Sequence, residues 1–380
     1  MKGMLTSKRV AVGTLLLLLT AVACFSGTIP TAHAASAASR VSQHGLASPP
    51  AQLGQRSSPA TGGGQLQWRY QTGGIVRSSP AVVKGVVYIG SGDHYVYALN
   101  ASDGTVRWRY LMGSYVYSSP AVVKGVVYVG GSNDPSFYAL NASNGTVRWR
   151  YLLGPSSSSP AVVNGVVYVG SQDYVYALNA SDGTLRWRYQ TGNTVISSPA
   201  VVNGVVYVGS EDRYVYALNA SDGTVRWRYL MDDFAISSPA VVKGVVYVSC
   251  GDDYVYAFNA SNGTLRWRYQ TGGQVNTTPA VVKGVVYVGS DDGYVYALNA
   301  NKGTLRWLYQ TGDLVTDSPA VVNGVVYVGT DYFYALNASN GTLRWLYQTG
   351  NYGFFESSPA VVNGVVYVGS DDSYVYALTA

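Results

Sequence analysis

The chain has 380 residues with 25 basic and 20 acidic side chains, a formal charge of +5. Lys2, Lys8 and Arg9 stand at the N-terminus, and without them the balance is 22 to 20, which gives a polyanion no reason to bind by charge alone. Two cysteines, Cys24 and Cys250, exclude a disulfide framework, and His33, His44 and His94 sit at no zinc-ligand spacing.

Residues 1–34 read as a secretory leader, with Lys2, Lys8 and Arg9 as a positive start, Val10 to Phe25 as an apolar core and Ala32-His33-Ala34 as a cleavage site. Ala21-Val22-Ala23-Cys24 loosely resembles a lipobox, so a lipid anchor at Cys24 is the alternative. The apolar run is short for a bilayer, and no transmembrane span is expected in the mature chain. Residues 35–64 are rich in Ser, Ala, Pro, Gln and Gly without apolar periodicity and read as a flexible linker. The expected localisation is therefore secreted or extracytoplasmic, at the cell envelope.

From Gln65 onward one unit repeats. Tryptophans at 68, 108, 149, 187, 227, 267, 307 and 345 fall 38 to 41 residues apart, a period that belongs to repeat architectures. Within the unit Ser78 to Tyr110, Ala81 to Val83 is a short apolar strand entered through Ser-Ser-Pro, where proline needs no ladder donor. Lys84-Gly85, or Asn-Gly in other copies such as Asn164-Gly165, marks a type I′ hairpin. Val86 to Ile89 and Tyr95 to Leu99 are further strands, apolar at nearly every position and so covered on both faces. After the turn Asn100 to Gly104, Val106 to Tyr110 forms the outermost strand. Its two-residue period puts Val106, Trp108 and Tyr110 on one face and Arg107 and Arg109 on the other, and charge there discourages edge pairing.

Four antiparallel strands make one propeller blade. The lead-in Ser/Thr-Pro-Ala-Val-Val occurs eight times, and after the last the chain ends without an outer strand. Gln65 to Tyr70 is an outer strand without its first three. An all-β, eight-bladed β-propeller over residues 65–380 is expected, with the N-terminal outer strand closing the last blade.

The run Ala98-Leu99-Asn100-Ala101-Ser102-Asp103-Gly104-Thr105-Val106-Arg107-Trp108 resembles the repeat of pyrroloquinoline quinone (PQQ)-type propellers. The resemblance implies that Trp68, Trp108, Trp149, Trp187, Trp227, Trp267, Trp307 and Trp345 dock each blade on its neighbour. It also implies a range of roles, from quinone-dependent dehydrogenases to the propeller lipoprotein of outer-membrane β-barrel assembly. Dehydrogenases of this fold hold quinone and Ca²⁺ on the axis over a tryptophan, with an aspartate base and often a vicinal disulfide. Here every tryptophan occupies the repeat position, no Cys-Cys pair exists and no insertion is long enough for a lid, so no cofactor is expected and the chain reads as no enzyme.

The acidic turns at Asp93, Asp134, Asp173, Glu211-Asp212, Asp252-Asp253, Asp291-Asp292, Asp331 and Asp371-Asp372 are the other candidate chemistry, for Ca²⁺. Turn chemistry explains them without a metal, and none is assigned. The outer-strand arginines read as a solvated edge rather than a nucleic-acid surface. Cys250 replaces the Gly or Ser of other copies and reads as a small buried residue.

The copies differ mainly in the segments joining blade to blade, on the face opposite the invariant turns. Arg77, Tyr115, Tyr117, Phe234, Asn276, Asp317, Phe354, Phe355 and Glu356 lie there and form the expected partner-binding face. Aromatic residues beside isolated charges suit a protein, peptide or glycan. The expected function is an exported, monomeric binding or scaffolding module; a quinone-dependent enzyme and an adhesive repeat protein are the alternatives.

Overall fold

The computed structural model describes residues 62–349 and 353–380. The leader, Cys24 and nearly all of the expected linker lie outside these residues. Within them the chain forms thirty-two strands in eight four-stranded antiparallel sheets and no helix. Each sheet is a blade: residues 81–111, 121–152, 161–190, 200–230, 240–270, 280–310 and 320–348 make blades 1 to 7. In blade 1 the strands are Ala81–Val83, Val86–Gly90, Tyr95–Asn100 and Val106–Leu111, called a to d from the axis outward. Blade 8 takes Ala360–Val362, Val365–Gly369 and Tyr374–Thr379 from the C-terminus and Leu66–Gln71 from the N-terminus, with Tyr70 opposite Val375 and Gln71 opposite Tyr374. The chain thus closes its own ring.

Local chemistry fixes the blade. Lys84 and Gly85 have φ of 49° and 74°, the pair of positive values that a type I′ turn demands and that matches the strand twist. Strand b is buried at every position and strand c at its four central ones, since both are covered on both faces. Strand d departs from the simple period: Leu99 faces Val106 while Ala98 faces Trp108, a bulge that takes Arg107 out of register. Val106 is therefore turned out, 41% exposed, while Trp108 keeps its inward face at 8%.

Seven tryptophans bond to the neighbouring blade. Trp108 Nε1 donates to Ala142 O of blade 2 at 2.9 Å, and Tyr88 Oη donates to the same carbonyl at 3.1 Å. A Trp–Tyr pair recurs on Ala180, Ala220, Ala260, Ala300, Ala338 and, across the closure, Ala101. Each indole lies under a glycine of the next blade. A Cβ on Gly104 would stand 2.5 Å from Trp68, and at Trp345 the same place is taken by Gly64, which precedes the closing strand. The N-terminal segment thereby restores the motif that the chain ends would interrupt.

Nearer the axis the blades are stitched by hydroxyls. Ser79 N donates to Ser119 Oγ at 2.8 Å, Ser119 N to Ser159, and so on through Ser198, Ser238, Thr278, Ser318 and Ser358, whose N donates back to Ser79 Oγ at 3.1 Å. Eight bonds make a closed ring. The preceding residue of each lead-in caps its own blade: the Ser78, Ser118, Ser158, Ser197, Ser237, Thr277 and Ser357 hydroxyls accept from the N–H at the end of strand b. In blade 7 the place belongs to Asp317, whose Oδ2 accepts from Gly329 N at 3.0 Å.

Candidate functional site

Each link between blades approaches the axis with a fixed alternation. Aligned on the lead-in, the third residue before the capping hydroxyl is turned outward or half-buried (Ile75, Tyr115, Pro155, Thr194, Phe234, Gln274, Leu314, Phe354). The second is buried and the last half-buried. The buried residue wedges against the end of strand b: a Cβ on Gly90 would stand 2.4 Å from Val116, and one on Gly329 would stand 2.4 Å from Phe355.

That alternation corrects two expected face residues. Phe355 is fully buried, with Phe333 and Tyr376 at 5.3 and 5.9 Å between ring centres; it takes the wedge position that valine holds in five other links. Asp317 is also fully buried, because it stands in for the capping hydroxyl. Its Oδ1 has no hydrogen-bond partner, and burial drives its carboxyl well above the usual range against the opposing pull of the Gly329 N–H. The signal was available: alignment on Ser-Ser-Pro puts Asp317 in register with Thr277, although the longer link before blade 8 obscures the register of Phe355.

The other seven expected residues keep exposed or half-buried side chains on this face. Five gather across the closure. The Arg77 Nε is 2.8 Å from Glu356 Oε2 and its Nη2 2.7 Å from Asp371 Oδ2, so one guanidinium from the link into blade 1 serves two carboxylates of blade 8 and its link. Burial lowers the pKa of Arg77, but the hydrogen bond to Asp371 and both carboxylates outweigh it and the net shift is upward. Glu356 is raised, first by burial and then by Asp371, with Arg77 opposing. Tyr117, in the next link, is raised by burial with Arg77 again opposing. Its ring stacks on Tyr115 at 5.7 Å and 12°, and His94 meets Tyr115 edge-on at 4.9 Å. Phe354 is 47% exposed beside this cluster, its carbonyl accepting from Asp371 N. Phe234 is exposed and Asn276 donates to Asp291 Oδ2 at 3.3 Å, both on links farther round the ring.

Asp371 and His94 were not singled out as face residues, since each belongs to a b–c turn that reads as turn chemistry. For most acidic turns that reading describes the geometry. Asp93 Oδ2 accepts from Tyr97 Oη and from Gly73 N, and its Oδ1 from Tyr95 N; Asp212 and Asp292 repeat the pattern. Carboxylates so occupied hold turns to links. Cys250 is buried, its thiol pushed up to about 12 by desolvation, which suits packing and not reactivity.

A cleft of about 490 Å³ opens on the same face where the link into blade 3 is lined only by Pro155 and Ser157. Sequence reasoning missed it, because a run of serines gives no signal beyond a loop.

A family model described as outer membrane protein assembly factor BamB matches residues 57–170, 152–240, 233–348 and 312–380. The chain belongs to this family. Among solved structures the chain is similar to BamB from Moraxella catarrhalis, at 19% identity and a TM-score of 0.71 over 82% of this chain and 100% of that one. It is similar also to the computationally designed Ika8 protein, at 16% and 0.75 over 83% and 100%. A quinohemoprotein alcohol dehydrogenase from Comamonas testosteroni matches at 15% and 0.71 over 83% of this chain and 76% of that one. At such identities the likeness is one of fold. A search among curated proteins finds no match.

The dehydrogenase likeness sets a test for a quinone. Seven tryptophans spend Nε1 on a neighbouring blade's carbonyl, and Trp345 is 4% exposed beneath Gly64. No indole is left to floor an axial cofactor, and among the described residues no three His, Cys, Asp or Glu side chains gather to hold a metal beside one. The residues do not fit the group.

Proposed function

We propose that the chain is a non-catalytic binding or scaffolding module of the cell envelope, exported by its leader, that engages a protein, peptide or glycan through the link face. The observation that carries this reading is the distribution of differences among the blades. The hairpin turns, docking tryptophans and capping hydroxyls recur because each makes a bond the ring needs. The link residues Tyr115, Tyr117, Phe234, Phe354, Arg77 and Glu356 are the ones that differ, and most gather on one part of one face. Membership in a family described as an assembly factor supports a role in contact rather than turnover, although fold alone assigns no function.

The test is a thermal-shift screen of the full chain against PQQ with and without Ca²⁺, then against peptides and glycans, since a ligand that binds only the folded state raises its melting temperature. A peptide or glycan shift that disappears in the triple variant Tyr115→Ala, Phe354→Ala, Glu356→Gln is the expected result. A Ca²⁺-dependent quinone shift, or a partner indifferent to the triple variant, refutes the reading.

A further inference from the structure

The cleft beside blade 3 has a chemistry of its own. Where the link into blade 2 raises Tyr115 and Tyr117, the link into blade 3 places Pro155 and Ser157, and Ser156 replaces the valine wedge with a hydroxyl that donates to Gly170 O at 2.6 Å. The wall is therefore low at this point of the ring. The b–c turn of blade 3 is also one residue shorter than that of blade 1, so its aspartate is released from the usual bond to the strand c tyrosine; Asp173 Oδ2 accepts instead from Gln190 Nε2 at 2.8 Å. The space left is about 490 Å³, and Asp173, Gln172, Asn193, Thr194 and Ser132 supply its polar lining, with Val195 and Ile196 as apolar floor. That volume lies within the range of ligand pockets, about 300–1,000 Å³.

We propose that this cleft binds a neutral saccharide. The inference rests on the link face being the binding surface, and it names the ligand class. No lysine or arginine lines the cleft, and a single carboxylate does, so an anionic ligand would meet repulsion without compensation. Amides and hydroxyls, each able to donate and accept, match a ligand whose surface is mostly hydroxyl, while Asp173 takes charge-assisted hydrogen bonds from hydroxyl donors. Ser132 already carries an Oγ that is buried without a hydrogen-bond partner, and its N–H holds Tyr115 O at 2.9 Å. The link bearing two stacked tyrosines is thus tied to the cleft margin, with Tyr115 44% exposed, and an aromatic face suits the C–H side of a pyranose.

The experiment is calorimetric titration of the full chain with neutral malto-, cello-, xylo- and chito-oligosaccharides, with sulfated glycans and peptides as comparisons. At least one neutral oligosaccharide binds, and Ser157→Tyr, which copies the residue blade 2 carries in the same register and fills the cleft, weakens it tenfold or more. Asp173→Ala does likewise and serves as the second reading should Ser157→Tyr fold poorly. Lys243→Asn, a hairpin turn on the opposite face, changes nothing. Absence of binding by every neutral oligosaccharide overturns the saccharide assignment. A peptide or sulfated glycan blocked by Ser157→Tyr overturns it too, but leaves the link face as the binding surface. A neutral oligosaccharide that binds undiminished to Ser157→Tyr, Asp173→Ala and the triple link-face variant overturns both.

Discussion

Replacing Asp317 by serine should stabilise the protein at neutral pH. Seven blades place a Ser or Thr hydroxyl at this position, and in blade 2 that hydroxyl both accepts from Gly130 N and donates to Gly130 O, at 3.1 and 3.0 Å. Asp317 accepts from Gly329 N, but its Oδ1 is fully buried without a partner. Such an orphaned polar atom costs about 1–3 kcal/mol, so Asp317→Ser gains an amount of that order at pH 7. With about 2.1 cal/mol/K of unfolding entropy per residue, a propeller of about 316 residues shifts by about 1.5 °C per kcal/mol, which a melting curve resolves. The gain has a pH signature. Burial raises the folded-state pKa of Asp317 well above the 3.8 of the free group. Below pH 3.8 both states hold the proton and the contribution of Asp317 is at its most favourable; as pH rises through the folded pKa, the unfolded chain has released its proton and the native state loses stability. The advantage of Asp317→Ser is therefore largest at pH 7 and shrinks toward pH 4, and Asp317→Asn, which cannot ionise, shows the same trend. Calorimetric melts of the three proteins at pH 4, 5.5 and 7 measure it. An advantage independent of pH, or a loss at pH 7, refutes the account.

Deleting residues 65–70 strips the outer strand from blade 8 and lays bare Tyr374–Thr379 as an unpaired edge; the melting temperature falls sharply and association rises in light scattering, whereas an unchanged melt contradicts ring closure. Ser119→Ala leaves Ser79 N without its acceptor in the axial ring and costs about 1–3 kcal/mol, while Ser119→Thr, the residue blade 6 uses at Thr278, costs much less; equal losses in denaturant melts would show that the ring bond does not matter. Arg77→Met leaves Glu356 and Asp371 facing each other, so the folded pKa of Glu356, already raised by burial, rises further. A raised carboxylate lends stability at low pH that is lost as pH rises, and the deficit of this variant should grow between pH 4 and 7; a flat difference speaks against it.

Much of the fold is legible because its signals are local and repeated eight times. Lys84-Gly85 can be read as a type I′ turn since both residues need positive φ, and the count of lead-ins against outer strands requires closure through residues 65–70. What the sequence conceals is relational. Val106 looks inward by simple alternation, but the bulge opposite Leu99 turns it out. Phe355 looks like surface variety until it is set against Val76 and Val116, whose wedge position it shares. Asp371 looks like turn chemistry, and only the path of the chain across the closure brings Arg77 to it. The cleft is hidden for a different reason: it is made by small residues, Pro155 and Ser157, and by a turn one residue short, and an absence of bulk has no motif.

The near-identity of the blades itself constrains where a ligand can bind. In seven of the eight units the strand b tyrosine and the strand d tryptophan end on one carbonyl of the next blade, and the turn glycine lies against an indole with no room for a Cβ. The asparagine that opens the c–d turn is similarly committed; Asn100 Nδ2 donates to Thr105 Oγ1 and its Oδ1 accepts from Arg107 Nε. Outer arginines lie over strand c tyrosines, as Arg109 does 4.6 Å above the centre of Tyr95. Groups with full sets of internal partners gain little from a ligand, because contact with it would exchange one satisfied bond for another. The side chains that differ from blade to blade are the outward residues of the links, such as Tyr115, Phe234 and Phe354, and the turn of blade 3 that lost its tyrosine bond. Both lie on one face and nearly meet at Ser132, whose N–H is bonded to the aromatic link and whose side chain borders the cleft. A ring stitched from eight almost equal parts can thus acquire a specific site by altering few residues, provided the change falls where the stitching makes no demand.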